Sequence, residues 1–291
     1  MAEKYTLTNG IIEITVNSKG AELASLKECQ SGREYMWQAD PTFWGRTSPV
    51  LFPVVGAFKD GKFLTKERTY QMGQHGFARD MEFMLTKQTE DQIWFCLTDK
   101  DETWEKYPYA FNLEIGYLLE DRSVKVLWRV SNPSEEELPF SIGGHPAFRA
   151  PVRKEDEITC YVQFKGQNKV VSRQIEGGLA TDIFCTWNLD QDGALAVTEE
   201  VFAKDALVVE ESGCHEVALL DKAHRPYLTV SFDAPLFGIW TPPGKNAPFI
   251  CIEPWYGRCD HTDFTGTLRE REYGSILQAK ETFEAAYTIT V

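Results

Sequence analysis

With 291 residues, 43% of them hydrophobic and 25% charged, the chain has the composition of an ordinary globular protein with ample material for a core. A formal net charge of −14 argues against nucleic acid and against an anionic membrane surface, both of which are held by clustered Lys and Arg. Seven scattered cysteines without a C-x-x-C pair speak against a zinc ribbon or a disulfide framework, and fit reduced thiols in a cytoplasmic protein.

The first residues lack an apolar core of the kind a secretory signal needs. Residues 11–16 are β-branched and lie between the turn signals Asn9-Gly10 and Asn17 to Gly20, so they read as a strand, with 21–26 as its partner. Residues 33–63 are rich in Gly, Pro and aromatics and show no helical period. They read as a long irregular segment, and such segments are often functional. Its apolar tract 49–58 is too short to cross a bilayer. Strand-like runs follow at 81–87, 92–98, 109–119, 123–130 and 138–142, then at 157–164, 194–197, 206–210, 216–220, 227–232, 236–240 and 285–291. Only residues 198–204 and 268–272 suit short helical pieces. The expectation is an all-β chain: a large antiparallel sandwich with few short helices, forming a single domain over 1–291.

Two stretches can carry chemistry. In Ser141 to Phe148, Gly143 and Gly144 allow close approach and unusual φ, and His145 can trade a proton near neutral pH. Pro146 holds His145 in an extended backbone. In Phe249 to Gly257, Glu253 sits inside an apolar run, again just before a proline. An acid and a base on restrained backbones can face one another across a cleft. On the residues alone, a core histidine beside a turn is an equal alternative. His75, between Gly73 and Gly76, reads as more accessible than a strand histidine. Arg46 offers a planar fork to a ligand oxygen, or else a surface ion pair. Asp205 reads as a helix or turn cap, or as a ligand group. His215, His224 and His261 sit in polar, turn-like surroundings and read as surface residues. His75, His145 and Glu253 would make a two-histidine, one-carboxylate metal set, but no H-x-H or H-x-x-x-H spacing accompanies them, so no metal is expected.

The segments Trp44-Gly45-Arg46, Gln74 to Arg79, Gly143 to Phe148 and Ile252 to Trp255 resemble, in this order, those of the aldose 1-epimerase (galactose mutarotase) superfamily, and most of all its LacX-like bacterial branch. The resemblance implies a β-supersandwich with an open cleft. It implies Glu253 as general base and His145 as general acid, His75 and Arg46 holding the sugar, and Asp205 binding hydroxyls. The implied activity is cofactor-free interconversion of the α and β anomers of free hexoses such as galactose or glucose. Ordinary values near 4 for a carboxylate and 6.5 for an imidazole nearly provide the opposite protonation states this needs. Trp255 and Phe148 would cover the apolar face of a pyranose or pack in the core. The His75 segment lacks the further glycine of galactose mutarotases and is closer to the hexose-6-phosphate epimerase branch, for which Lys59 and Arg79 are the available cations. A non-catalytic sugar-binding protein on the same scaffold is the remaining alternative.

Overall fold

A computed structural model describes residues 3–66, 68–154 and 157–291. Alternation of apolar and polar residues builds its strands. In Ser123–Ser131 every second residue is buried, so Val124, Val126, Trp128 and Val130 share one face. This strand lies inside a nine-stranded sheet that runs from Ala194–Ala196 at one edge to Met84–Gln88 at the other. An eight-stranded sheet runs from Leu179–Asn188 to Val50–Leu51, with Ala147–Arg149 paired off the main path to Phe249–Tyr256. Pairing is antiparallel in both.

The inner faces meet in one continuous apolar cluster. Val126, Tyr287 and Ile289 enter it from the first sheet, and Phe237, Ile250 and Ile252 from the second. The chain is therefore all-β, as expected. Glu200–Phe202 and Leu268–Glu270 form the two anticipated helical pieces as single 3₁₀ turns. Asp101–Trp104 adds one unanticipated α-turn. All seven cysteines are free, and no helix among the described residues is long and apolar enough to cross a membrane.

Two hairpins go beyond the sequence reading. Lys62–Thr65 with Arg68–Gln71 closes the irregular segment. Lys169–Glu176 with Leu179–Asn188 forms the outer margin of the eight-stranded sheet. At that margin both faces are partly wet, so the period-2 contrast that marks a half-buried strand fades.

Candidate functional site

The strand Phe249–Tyr256 is buried along nearly its whole length. On one side it pairs with Leu236–Trp240. On the other it pairs Trp255 with Gly143, and then Cys251 with Ala147. Carried through the gap, that register sets His145 opposite Glu253. Pro146 and Pro254 both fall in the gap, and neither has an N–H to donate, so the ladder thins there, with the Ile252 N–H still donating to the Pro146 carbonyl at 3.3 Å. Directly opposed residues of antiparallel strands project to the same face. His145 Nε2 accordingly lies 3.3 Å from Glu253 Oε2. Cys251 and Trp255, two residues either side of Glu253, share its face.

Gly143 and Gly144 serve close approach alone, since neither has positive φ. A Cβ on Gly143 would stand 2.7 Å from Trp255 Cδ1, and one on Gly238 2.7 Å from Trp255 Cη2. The indole thus lies in a slot whose two walls are glycine.

A cleft of about 400 Å³ opens over this pair. Arg46, His75, His145, Asp205 and Glu253, the five residues named from sequence, all line it, as do Arg79 and Trp255. The irregular segment supplies Trp44 and Arg46. It is held down by Trp37 Nε1–H donating to the Trp44 carbonyl, by the Thr47 and Ser48 N–H groups donating to Glu22, and by His145 N–H donating to Pro49. Arg46 Nη2 donates to both carboxylate oxygens of Asp80, at 3.0 and 3.3 Å.

His75 is buried, contrary to the accessibility its glycine neighbours suggested. Its positive φ of 66° turns the ring inward, against Gly56. There His75 N–H donates to the Gly56 carbonyl, and Gly56 N–H donates to His75 Nδ1 at 3.1 Å. With Nδ1 accepting, the ring proton sits on Nε2. Asp205 keeps the local turn role considered for it, accepting from the Ala206 N–H, and also borders the cleft.

Lys59 and Phe148 are not brought to the site. The Lys59 N–H is tied to Asp260, and its side chain is not among those lining the cleft. Phe148 is fully buried in the main core, because even-numbered neighbours on its paired strand face that core, so its packing role is the one realised. Trp44 and Trp240 are the site residues that sequence reasoning missed. Trp44 stacks on His145 at 4.7 Å between ring centroids, and Trp240 meets it edge-on at 5.4 Å. The signal for Trp44 was its place beside Gly45-Arg46. Trp240 carried none.

Burial pushes the Glu253 carboxyl well above the usual carboxylate range, and the charge of Asp205 adds to the effect. Burial takes His145 down to about 3, with Arg79 and Arg46 contributing. His75 is held low mainly by burial, so it is neutral at pH 7 and its Nε2–H is a pure donor. This reverses the order expected from ordinary values. The Glu253 and His145 shifts both favour a protonated carboxyl beside a neutral imidazole over an ion pair. Glu253 Oε2 and His145 Nδ1 are buried without a hydrogen-bond partner among the described residues. Burial also lowers Arg79 to about 10, and its Nη2 donates to the Gln74 carbonyl. The metal-capable group here is not the set weighed from sequence but His145, Cys251 and Glu253, whose ligand atoms lie within 4.8 Å of one another.

The family model for aldose 1-epimerase matches residues 3–283. Protein LacX (plasmid) of Lactococcus lactis subsp. lactis is 29% identical, over 98% of this chain and 98% of its own. The structure of a galactose mutarotase related enzyme from Lactobacillus acidophilus superposes with a TM-score of 0.92 at 32% identity, covering 99% of this chain and 97% of that one. A galactose mutarotase-like protein from Lactobacillus casei ATCC 334 gives a TM-score of 0.90 at 26% identity, covering 99% of both chains.

Proposed function

The chain belongs to the aldose 1-epimerase family, and on that premise we propose that it interconverts the α and β anomers of a free hexose, such as galactose or glucose, by acid–base ring opening. The observation that carries this reading is the opposed His145–Glu253 pair, 3.3 Å apart at the floor of a sugar-sized cleft. One member takes the proton of the anomeric hydroxyl while the other delivers a proton to the ring oxygen. The C1–O5 bond breaks as the C1 carbonyl forms. Rotation about C1–C2 and the reverse transfers close the ring on the other face. Each positioned transfer contributes about 10²–10⁴-fold.

In the forward sense Glu253 is the base and His145 the acid, which needs the shared proton on His145. Sugar hydroxyls donating to the buried carboxylate favour its ionised form, so substrate binding pulls the proton across. In this scheme His75 Nε2–H and the Arg46 guanidinium donate to the ring oxygen and hydroxyls. Asp205 accepts from hydroxyls, and Trp44, Trp240 and Trp255 offer flat apolar surface to the pyranose, a reading supported by their all bordering the cleft. Both steps are proton transfers, so the scheme calls for no cofactor. The free, scattered thiols fit a cytoplasmic setting.

A sugar phosphate is the second reading, favoured by Arg46 and Arg79 bordering the same cleft. Polarimetry on freshly dissolved α-galactose, α-glucose and glucose 6-phosphate, against a buffer blank, tests both. Faster decay of a free sugar to its equilibrium rotation is the expected result. Tight sugar binding by calorimetry without any acceleration would make the chain a binding protein instead.

A further inference from the structure

We propose that the floor of the cleft is also a zinc site, in which His145, Cys251 and Glu253 bind the ion in competition with sugar. Cys251 has no part in the ring-opening scheme, yet it stands where both proton-transfer groups meet. Strand alternation gives it the face of Glu253, and pairing with Ala147 sets it two positions past His145. A ring nitrogen of His145, the Cys251 sulfur and a Glu253 oxygen all lie within 4.8 Å of one another, and all three residues are buried.

Zinc bonds of about 2.0–2.3 Å at tetrahedral angles set ligand atoms about 3.3–3.7 Å apart. The His145–Glu253 contact, at 3.3 Å, already has that length. The sulfur has to close in by no more than about 1 Å, within reach of a side-chain adjustment. A nitrogen, a thiolate and a carboxylate form a ligand set typical of zinc, whereas magnesium and calcium call for oxygen throughout. The Glu253 Oε2 atom is buried without a hydrogen-bond partner among the described residues, which supplies an acceptor waiting for a ligand. Charge balances as well. One thiolate and one carboxylate neutralise the dication, as a site out of water requires. Binding displaces the Cys251 thiol proton to solvent.

A zinc ion so placed is an inhibitor, because it occupies both groups that move protons. That consequence rests on the epimerase reading, whereas the binding itself does not. A second cluster, Asp190, Asp192 and His224, has similar spacing but lies at the surface and contains no sulfur.

The test is cobalt titration of the intact chain and of Cys251→Ser, Cys251→Ala and His224→Ala, followed by absorption. The wild-type chain and His224→Ala should bind one Co²⁺ with a thiolate-to-metal charge-transfer band that zinc displaces. Both Cys251 variants should lose the band and bind at least about tenfold more weakly, having lost one of three protein ligands. In polarimetry, zinc should inhibit the wild type competitively with sugar and a chelator should reverse it. The Cys251 variants should keep the metal-free rate and need at least about tenfold more zinc for the same inhibition. A missing band, a band unchanged in Cys251→Ser, or binding abolished by His224→Ala overturns the proposal. If no sugar is turned over at all, the spectra still decide the site, and only the epimerase reading falls.

Discussion

Glu253 is 1% exposed and His145 8%, so each loses most of the hydration that would stabilise its charged form. Identity, spacing and the flanking prolines of both residues were legible in the sequence. The direction of their pKa shifts was not, because it depends on burial and on Asp205, which reaches the site from a different loop. The shifts fix the pH profile. Below about 3 the pair gains a second proton, on His145. Above the raised pKa of Glu253 it loses its last. The bell in kcat/KM, which reports the free enzyme, should therefore be broad. Its acidic limb should lie well below 6.5 and its basic limb well above the ordinary carboxylate value. An acidic limb at 6.5 would show that His145 is not held neutral. Replacing either residue removes a proton-transfer partner, so Glu253→Gln and His145→Gln should each cut kcat by at least about 10²-fold. A wild-type rate in either variant removes that residue from the mechanism. Stability carries the same signature. A carboxyl whose folded pKa exceeds its unfolded value contributes fully below the unfolded pKa and loses that contribution as pH rises toward the folded one. Glutamine does not titrate, and His145 is present in both proteins. The Tm of Glu253→Gln relative to wild type should therefore climb as pH is raised from about 4.5, in the variant's favour. A gap that stays constant between pH 4 and 8 would mean Glu253 is ionised at no cost in the fold.

At the scale of strands, the site depends on three neighbours: Leu236–Trp240, Phe249–Tyr256 and the broken pair Ile142–Gly144 with Ala147–Arg149. Glycine at 143 and 238 lets the outer two crowd the Trp255 indole from both sides. Gly238→Ala would bring its Cβ to 2.7 Å from that ring, so the ring must move. Overpacking of this kind costs about 1–3 kcal/mol. Thermal or urea unfolding should show the loss, and kcat should fall with it because Trp255 borders the cleft beside Glu253. Adding Trp255→Phe to Gly238→Ala should recover part of the lost stability, a coupling that distant sites do not show. An alanine variant as stable as wild type would dismiss the slot. The sequence hinted at half of this: Gly143-Gly144 signals close approach, but what approaches is decided by a partner about a hundred residues away. The hairpin Lys169–Glu176 with Leu179–Asn188 shows the opposite failure. Gly177-Gly178 is a strong turn signal between two β-rich runs. The runs themselves alternate weakly, because an outer strand of a sheet has little buried face to declare. Its inner strand nonetheless brings Ile175 to the cleft wall.

Over the whole molecule the net charge is −14, and a dianionic substrate approaches against that field. At about 0.15 M ionic strength the screening length is about 8 Å, so long-range repulsion is largely removed and the charges inside the cleft decide. There, Arg46 is bonded to Asp80 and Arg79 Nε lies 3.9 Å from the same carboxylate, so one acid already answers two guanidinium groups in part. Asp205 borders the cleft with a further negative charge. A phosphate binds well where fixed Arg or Lys side chains converge on it without competing acids. Asp80 and Asp205 offset both guanidinium groups, which leaves no net positive charge to hold a dianion. A neutral hexose loses nothing by this balance, since donors and acceptors are what its hydroxyls need. Galactose and glucose differ at one hydroxyl, and a single hydrogen bond is worth about 0.5–1.5 kcal/mol net, so the preference between them should be modest. The expected outcome is a higher kcat/KM for free hexose than for glucose 6-phosphate, measured by polarimetry at physiological salt. Lowering the salt should widen that gap, because repulsion then reaches further. A tenfold or greater preference for the phosphate would mean that Arg79 swings from Gln74 onto the ligand. In that case Arg79→Gln should abolish the preference while leaving the turnover of free sugar largely intact.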